Sequence, residues 1–252
     1  MSSLYESLCH SLAEEQDLLA LAANARSGQP APNLFMAAVH WLLTKGAQHT
    51  VTEYYPDISP EMTTHGDPYP IFRSFCLEHG DEIVDLISTR LVQTNVVRRC
   101  AVLLPAIAVA MGRDAGQPLT LVEIGTSAGL NLLWDRYLYS YSDVRRWGDP
   151  DSPVQLSSVI RGSLRPRLPG SIPQAVFRVG LDLNPVDIRD PDAVDWLRAL
   201  VWPERDDEAR MLEYAVEMAK DDPPLLLAGD ALELLPEVLE STPSDSTLCL
   251  YH

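Results

Sequence analysis

The sequence predicts an α/β protein in which a helical N-terminal domain precedes a parallel-sheet core. In residues 1–115, apolar side chains recur at the spacing of amphipathic helices. After Pro118, short apolar runs alternate with helical patterns, which is typical of a parallel sheet with crossover helices. The first of these runs ends in a turn of small residues, Gly125–Gly129. We therefore predict two domains, residues 1–115 and residues 116–252.

The N-terminal domain is predicted to contain several helices and one Pro-rich, turn-like stretch. Apolar spacing indicates helices near residues 4–19, 33–44, 70–90 and 94–112. Pro105 lies inside the last of them and should kink or split it, because proline lacks an N–H and crowds the preceding turn.

The core is predicted to contain four main strands, because four apolar runs are bounded by turn residues. These strands are Leu119–Ile124, Ala175–Leu183, Leu225–Ala228 and Thr247–Tyr251, with a shorter strand-like piece at Val154–Ile160. Helices are expected over Leu130–Tyr139 and near residues 191–200, 204–219 and 231–240. Residues of about 140–175 are rich in Pro, Gly and Ser and are predicted to be an insertion. Four strands make a small sheet for this class, so we expect the core to be C-terminally incomplete and completed by another segment.

Composition excludes several classes of partner. The chain of 252 residues has a net charge of −17, and such an acidic surface repels nucleic-acid backbones and anionic membranes. No apolar run is long enough to span a bilayer, and the N-terminus lacks the basic start of a signal peptide. The four cysteines form no C-x-x-C pair and no zinc-ligand spacing. We expect a cytoplasmic protein that acts on a small molecule, without a metal; the sequence leaves its oligomeric state open.

The most informative motif is the strand that ends in Glu123 and the turn that follows it. A strand, a small-residue turn and a helix in this order let a ligand approach the backbone, and the helix N-terminus would offer free N–H groups. The same turn, Gly125-Thr126-Ser127-Ala128-Gly129, also spells G-x-S-x-G, the nucleophile elbow of serine hydrolases. Both interpretations predict a functional site at this turn.

Two further acidic residues follow predicted strands. Asp182 ends the second strand and Asp230 follows the third. Ligands of open parallel sheets bind beyond the carboxyl ends of the strands, so these carboxylates are expected to converge with Glu123. For a nucleoside ligand, Asp182 would accept the ribose hydroxyls and Asp230 the adenine amino group. Without a ligand, Asp182 would form an Asx turn and Asp230 a helix cap.

These stretches resemble the first three motifs of class I S-adenosylmethionine-dependent methyltransferases. The motifs are Val-Glu-Ile-Gly-x-x-x-Gly, Gly-Leu-Asp-Leu-Asn-Pro and Ala-Gly-Asp-Ala, and the resemblance covers about residues 118–252. It implies a Rossmann-like, methyltransferase-type sheet with S-adenosylmethionine as cofactor. The residues implied to bind it are Glu123, Gly125, Thr126, Ser127, Gly129, Asp182, Leu183, Asp230 and Ala231. Glu123 and Asp182 are 59 residues apart, against about 20 in a compact unit, which is why an insertion after Tyr139 is expected.

The chain also resembles, over nearly its whole length, a bacterial family of unknown function, domain of unknown function 2332. The matching stretches are Thr89–Asn95, Ser127–Leu132, Trp196–Pro203 and Gly229–Pro236. This resemblance implies a methyltransferase-like core behind a helical N-terminal region, without a known substrate.

Other functions remain open at this point. A serine hydrolase would use Ser127 as nucleophile with His252, the only histidine after it. A nicotinamide-dependent oxidoreductase is disfavoured because G-x-G-x-x-G is absent. A degenerate methyltransferase fold that binds without catalysis is the main competitor to an enzyme.

A second group of polar residues precedes the core. Arg90, Gln93 and Asn95 cluster near the start of the helix that leads into it. They would either line a substrate pocket or hold the two domains together by hydrogen bonds.

Overall fold

The computed structural model describes residues 2–61, 66–111, 117–142 and 146–252. It divides the chain into two compact units. Unit 1 comprises Met1–Thr94 and Asp192–Ala209, and unit 2 comprises Asn95–Pro191 and Arg210–His252. The predicted boundary at residues 115 and 116 lies outside the described residues. The units divide the chain elsewhere, because the segment from Asn95 packs with the sheet and a later segment returns to the N-terminal helices.

The α-helices of the described residues agree with the main apolar periodicities. They are α1 (Ser3–Leu12), α2 (Gln16–Ala22), α3 (Ala31–Thr44), α4 (Tyr69–Glu78), α5 (Gly80–Thr89), α6 (Cys100–Met111), α7 (Pro191–Ala199), α8 (Asp206–Asp221) and α9 (Ala231–Glu240). Short 3₁₀ helices lie at Thr50–Tyr54, Val97–Arg99 and Leu130–Arg136. Within the described ranges, no helix is long and apolar enough to cross a membrane.

The core of unit 1 is formed by the apolar faces of its helices. α3 contributes the largest share of it, with Leu34, Phe35 and Val39 almost completely buried. Trp196 of α7 packs into the same core, although it lies far away along the chain. Burial of such large side chains supplies the main favourable free energy of this unit.

Unit 2 contains a four-stranded parallel sheet and a separate three-stranded sheet. The strands are β1 (Leu119–Ile124), β2 (Leu138–Tyr141), β3 (Arg146–Trp147), β4 (Gln155–Ser158), β5 (Ala175–Asp182), β6 (Leu225–Ala228) and β7 (Thr247–Tyr251). The main sheet has the order β6-β5-β1-β7 and the small sheet the order β3-β2-β4. Each predicted main strand is present, and the predicted α/β class with a parallel sheet is confirmed.

The predicted helix over Leu130–Tyr139 is wrong. The chain forms a 3₁₀ helix over Leu130–Arg136 and then enters β2, where it pairs with β4 and β3. Tyr137, Tyr139 and Tyr141 are buried at a spacing of two residues, which is the period of a strand. An apolar run of this length is compatible with helix or strand, and strand pairing decides between them.

Pro105 lies inside the continuous helix α6, without splitting it. Proline has no N–H for the carbonyl four residues earlier, which is that of Ala101. The Tyr141 hydroxyl donates a hydrogen bond to this carbonyl at 2.7 Å. A side chain of β2 thus replaces the missing backbone donor, which explains how the helix tolerates the proline.

Candidate functional site

The carboxyl ends of β1, β5 and β6 lie side by side at one edge of the main sheet. Glu123 of β1 is in register with Gly180 of β5, and Asp182 is in register with Ala228 of β6. The Gly229 N–H donates to the carbonyl of Asp182 at 2.9 Å, which ties the end of β6 to that of β5. All these strands are parallel, so their carboxyl ends meet at the same edge of the sheet. Glu123, Asp182 and Asp230 therefore all lie at this edge.

Glu123 is a buried carboxyl group, with 2% of its surface exposed. Its Oε2 accepts a hydrogen bond from the Thr126 hydroxyl at 2.8 Å. The pKa of Glu123 is raised to about 7, mainly by burial and in smaller part by the charge of Asp182. Hydrogen bonds from Thr126 and Asn131 and the charge of Arg99 partly oppose this increase in pKa. Both the neutral and the charged form of this carboxyl group are therefore populated near neutral pH.

The turn after β1 is held against β5 by backbone hydrogen bonds. The Gly125 N–H donates to the Leu181 carbonyl at 2.8 Å, and the Ser127 N–H donates to Asp182 Oδ2 at 2.8 Å. Gly180 permits this approach, because a Cβ there would lie 2.4 Å from the Thr126 methyl carbon. Backbone hydrogen bonds and close packing thus join the turn to the end of β5.

Asp182 is half-buried, and both of its carboxylate oxygens accept backbone hydrogen bonds. Oδ2 accepts from Ser127, and Oδ1 accepts from the Asn184 N–H at 2.8 Å. The second bond is the Asx turn expected in the absence of a ligand. The first is not local, and it aims the carboxylate across the turn. Leu183, the next residue, is 70% exposed.

Asp230 is the N-cap of α9. Its Oδ1 accepts a hydrogen bond from the Leu232 N–H at 2.8 Å, and its side chain is exposed. Ala231 is the first residue of the helix. The cap is the function expected of Asp230 without a ligand, and it places the carboxylate at the same edge as Asp182.

Three features of the turn are suited to a ligand-binding site. The Ser127 hydroxyl is buried and has no hydrogen-bond partner, although most buried polar groups do. Ser127 also has a φ of 55°, a left-handed conformation that is uncommon for a residue with a side chain. At Gly125, an added Cβ would meet no atom within 4 Å.

The Leu130 N–H, one of the groups expected to be free at a helix N-terminus, is already hydrogen-bonded. The helix is 3₁₀, and the Leu130 N–H donates to the side-chain oxygen of Asn95 at 3.0 Å. Gly129 adopts a φ of 74°, and a Cβ there would lie 2.8 Å from Pro224 Cγ. Gly129 therefore serves close packing, and the polar groups that face this edge come from Glu123, Ser127 and Asp182.

A family model matches the whole chain, residues 1–252, and is described as "Uncharacterized protein conserved in bacteria (DUF2332)". The chain belongs to the DUF2332 family. No curated protein and no solved structure matches it. The resemblance to domain of unknown function 2332 is thereby confirmed.

The three candidate substrate residues of this DUF2332 protein have separate places. Arg90 and Gln93 belong to unit 1, and Asn95 belongs to unit 2. Asn95 is buried and holds the turn through Leu130.

Arg90 is held by other side chains of unit 1. Its guanidinium carbon lies 6.0 Å from the Trp41 ring centre and 5.5 Å from that of Trp196, and it forms an ion pair with Asp192. Two indole rings and a carboxylate fix the guanidinium group as a stacked cation. Gln93 lies half-buried in the extended segment that follows α5.

Sequence reasoning did not identify two residues that lie close to Glu123 in the candidate site, Asn131 and Tyr251. Asn131 is 1% exposed, and its Oδ1 accepts a hydrogen bond from the Cys100 thiol at 3.3 Å. Tyr251 lies opposite Glu123 in the β1–β7 pair, and burial raises its pKa. A polar residue inside the apolar run Leu130–Leu133 was the available signal for Asn131, whereas Tyr251 is placed only by the strand order.

In the parts of the chain that the structure describes, no group of three His, Cys, Asp or Glu residues is arranged to hold a metal ion.

Proposed function

We propose that unit 2 of this DUF2332 protein binds S-adenosylmethionine at the carboxyl edge of β1, β5 and β6. The observation that carries the proposal is the place of the Gly125–Gly129 turn. Numbered along the chain, the main strands have the order 3-2-1-4, which is that of the first strands of Rossmann-like sheets. In such sheets ligands bind where the strand order reverses, which here is the end of β1.

The residues at this edge offer suitable partners for each part of the ligand. Glu123 and the turn around Gly125 would lie beside the methionine part, where a carboxylate favours the positively charged sulfonium. Asp182 would accept the ribose hydroxyls, because a carboxylate at the end of the second strand is a hydrogen-bond acceptor at the place where the ribose would lie. Leu183 and Ala231 would contact the adenine ring, and Asp230 its amino group.

The local structure fits such an occupant. A ligand group that accepts or donates a hydrogen bond would satisfy the buried Ser127 hydroxyl. The space beside Gly125 allows a ligand to contact the backbone directly. The left-handed Ser127 and the bond from its N–H to Asp182 hold these groups in place before binding, which reduces the entropy cost of binding.

Methyl transfer to a small-molecule acceptor is the reaction that we propose for this site. S-adenosylmethionine supplies an electrophilic methyl group, and the protein aligns the acceptor and excludes water. A non-catalytic protein with the same fold would bind S-adenosylmethionine without consuming it. Formation of S-adenosylhomocysteine in the presence of candidate acceptors distinguishes these two outcomes.

S-adenosylmethionine at about 100 times its Kd is expected to raise the Tm of the protein by about 5 °C or more, because a ligand that binds only the folded state stabilises it. The Asp182→Ala variant should lose this increase, since the ribose hydroxyls lose their acceptor. Thermal unfolding and calorimetric titration measure both effects, with S-adenosylhomocysteine as second ligand.

Asp187→Ala is the matched control for this experiment. Asp187 is an exposed Asx-turn residue, whose Oδ1 accepts from the Arg189 N–H at 2.9 Å, and it lies in the same loop. Asp182→Asn, which retains one acceptor oxygen, is used if the alanine variant does not fold. No increase in Tm for the wild type, or equal increases in all variants, would refute the proposal.

The conformation of Ser127 favours a second candidate, a serine hydrolase. A strained serine directly after a strand is a feature of the nucleophile elbow, and Ser127 has it. In that elbow the hydroxyl is exposed and activated by a histidine, whereas the Ser127 hydroxyl is buried without a hydrogen-bond partner. A fluorophosphonate probe should leave the protein unlabelled; an adduct on Ser127, absent in Ser127→Ala, would favour the hydrolase instead.

A further inference from the structure

Unit 1 contains a group of polar side chains that are buried among its helices and unrelated to the residues proposed to bind S-adenosylmethionine. This group, called here the tyrosine–carboxylate cluster, consists of Tyr5, His40, Tyr55, Asp57 and Glu204. All five residues belong to unit 1. Buried polar groups are costly unless they are hydrogen-bonded, so such a cluster needs a physical explanation.

Direct contacts connect four of the five residues, and the charge of the fifth, Glu204, acts on both tyrosines. The ring centres of Tyr5 and Tyr55 are 6.4 Å apart, and those of Tyr55 and His40 are 5.5 Å apart. His40 Nε2 is hydrogen-bonded to Asp57 Oδ2 at 2.7 Å. Glu204 is fixed at the other end, because its Oε1 accepts a hydrogen bond at 2.9 Å from the N–H of Leu4, the residue before Tyr5.

The hydrogen bonds of His40 define the charge of the His40–Asp57 pair. His40 Nδ1 lies 3.0 Å from the Ala199 carbonyl, which can only accept, so Nδ1 carries a proton. One further proton is shared between Nε2 and Asp57, on either partner. In both arrangements the pair has no net charge, so Glu204 contributes the remaining negative charge of the cluster. Arg205, the next residue, lies 3.6 Å from Glu208 and forms an ion pair with it.

Four oxygen atoms of the cluster are buried and make no hydrogen bond of normal geometry, although the two tyrosine hydroxyls are close enough to interact with each other. They are the hydroxyls of Tyr5 and Tyr55, Oδ1 of Asp57 and Oε2 of Glu204. Tyr55 has no exposed surface, and Tyr5 is 9% exposed. Leaving a buried polar atom unsatisfied is unfavourable, so an occupant that binds all four would be strongly favoured.

We propose that the tyrosine–carboxylate cluster is a binding site for a monovalent cation. All four available atoms are oxygens, which are the ligands that hard cations prefer. One net negative charge matches one positive charge. None of the four atoms reaches the surface, which favours a single small ion such as K⁺ or Na⁺, or an ammonium ion, over a larger molecule. A divalent ion would need more carboxylates, and the described residues contain no group of three metal-binding side chains.

The tyrosines are suited to this function as neutral ligands. Burial raises the pKa of Tyr55 and of Tyr5, and the nearby carboxylates of Asp57 and Glu204 raise both further. Both hydroxyls therefore keep their protons at neutral pH. Each can donate to a carboxylate oxygen while its own lone pairs face the cation.

The test compares chloride salts of K⁺, Na⁺, methylammonium and tetramethylammonium at equal ionic strength. The Tm should rise with K⁺ or Na⁺ to a plateau, by about 3 °C or more at ten times the Kd, and tetramethylammonium, which is too large, should give no increase. ²³Na NMR provides a second readout: the protein should broaden the sodium line, and the preferred cation should reverse the broadening. An increase with methylammonium alone would identify an ammonium ion as the occupant and would support the site.

Two variants and two matched controls make the result specific. Tyr55→Phe removes one ligand oxygen and Glu204→Gln removes the charge, and both should abolish the cation-dependent increase in Tm. Tyr54→Phe and Glu208→Gln change neighbouring residues outside the cluster and should retain it.

Equal Tm values in all salts, or the same increase in every variant, would overturn the proposal, and the cluster would then hold only water. If the variants do not fold, competition for the wild-type ²³Na signal decides the question without them. Neither readout depends on S-adenosylmethionine, so this proposal and the proposed function fail or succeed separately.

Discussion

Replacing Glu123 by Gln is expected to remove a large pH dependence of stability. The folded state holds the Glu123 proton up to a pKa of about 7, against 4.5 for a glutamate side chain in water. Between these values the folded protein binds a proton that the unfolded chain releases, so the free energy of unfolding falls as the pH rises. The contribution is fully present below pH 4.5 and is lost as the pH passes 7, a difference of about 3 kcal/mol.

Urea unfolding at pH 5 and pH 8 measures this effect. The wild-type protein should lose about 2–3 kcal/mol more than Glu123→Gln between the two conditions, since glutamine does not titrate. Glu237→Gln, an exposed position on α9, is the control and should retain the wild-type dependence. Parallel pH profiles for the wild type and Glu123→Gln would show that burial of this carboxyl group does not determine the dependence.

Removing Arg178 is expected to destabilise unit 2 by about 3–5 kcal/mol, because it leaves a buried carboxylate without its cation. Arg178 donates to Asp135 Oδ2 at 2.7 Å and to the Leu132 carbonyl at 3.1 Å. The side chain of Arg178 is 14% exposed and that of Asp135 is 5% exposed. Asp135 Oδ2 also accepts from the Ala175 N–H at 2.9 Å, so the pair connects the 3₁₀ helix to the start of β5.

Denaturant unfolding of Arg178→Met tests this prediction. In the double variant with Asp135→Asn, the loss should be smaller than in Arg178→Met alone, because no buried charge remains. Arg136→Met is the matched control: Arg136 is paired with the exposed Asp222, and its loss should cost about 1 kcal/mol or less. The prediction is wrong if Arg178→Met costs no more than Arg136→Met.

The strands of the main sheet were predicted well, because each is a short apolar run between turn residues. β1, β6 and β7 have the predicted bounds, and β5 is one residue shorter than predicted. The segment over Leu130–Tyr139 was predicted wrongly, since its apolar residues fit more than one period. The end of this segment, which contains Tyr139, forms strand β2 because it pairs with β3 and β4.

The candidate site was predictable in its residue types and only partly in its contacts. Glu123, the small-residue turn and Asp182 were identified as acidic or glycine positions at strand ends, and the structure places them at one edge. The hydrogen bond from the Ser127 N–H to Asp182 joins residues that are far apart along the chain, so no local sequence pattern predicts it. Tyr251 approaches Glu123 because β7 lies beside β1, whereas Asn131 lies in the 3₁₀ helix that follows the turn.

The sequence by itself determined the class of the fold, the strand positions and the acidic residues that end them, because backbone propensity and the period of apolar residues act over a few neighbours. Only the tertiary structure decided the strand order, the burial that shifts the pKa of Glu123, and the cluster that joins Tyr5 to Glu204. These features depend on which distant segments exclude water from one another, and that selection is made by the packing of the whole unit.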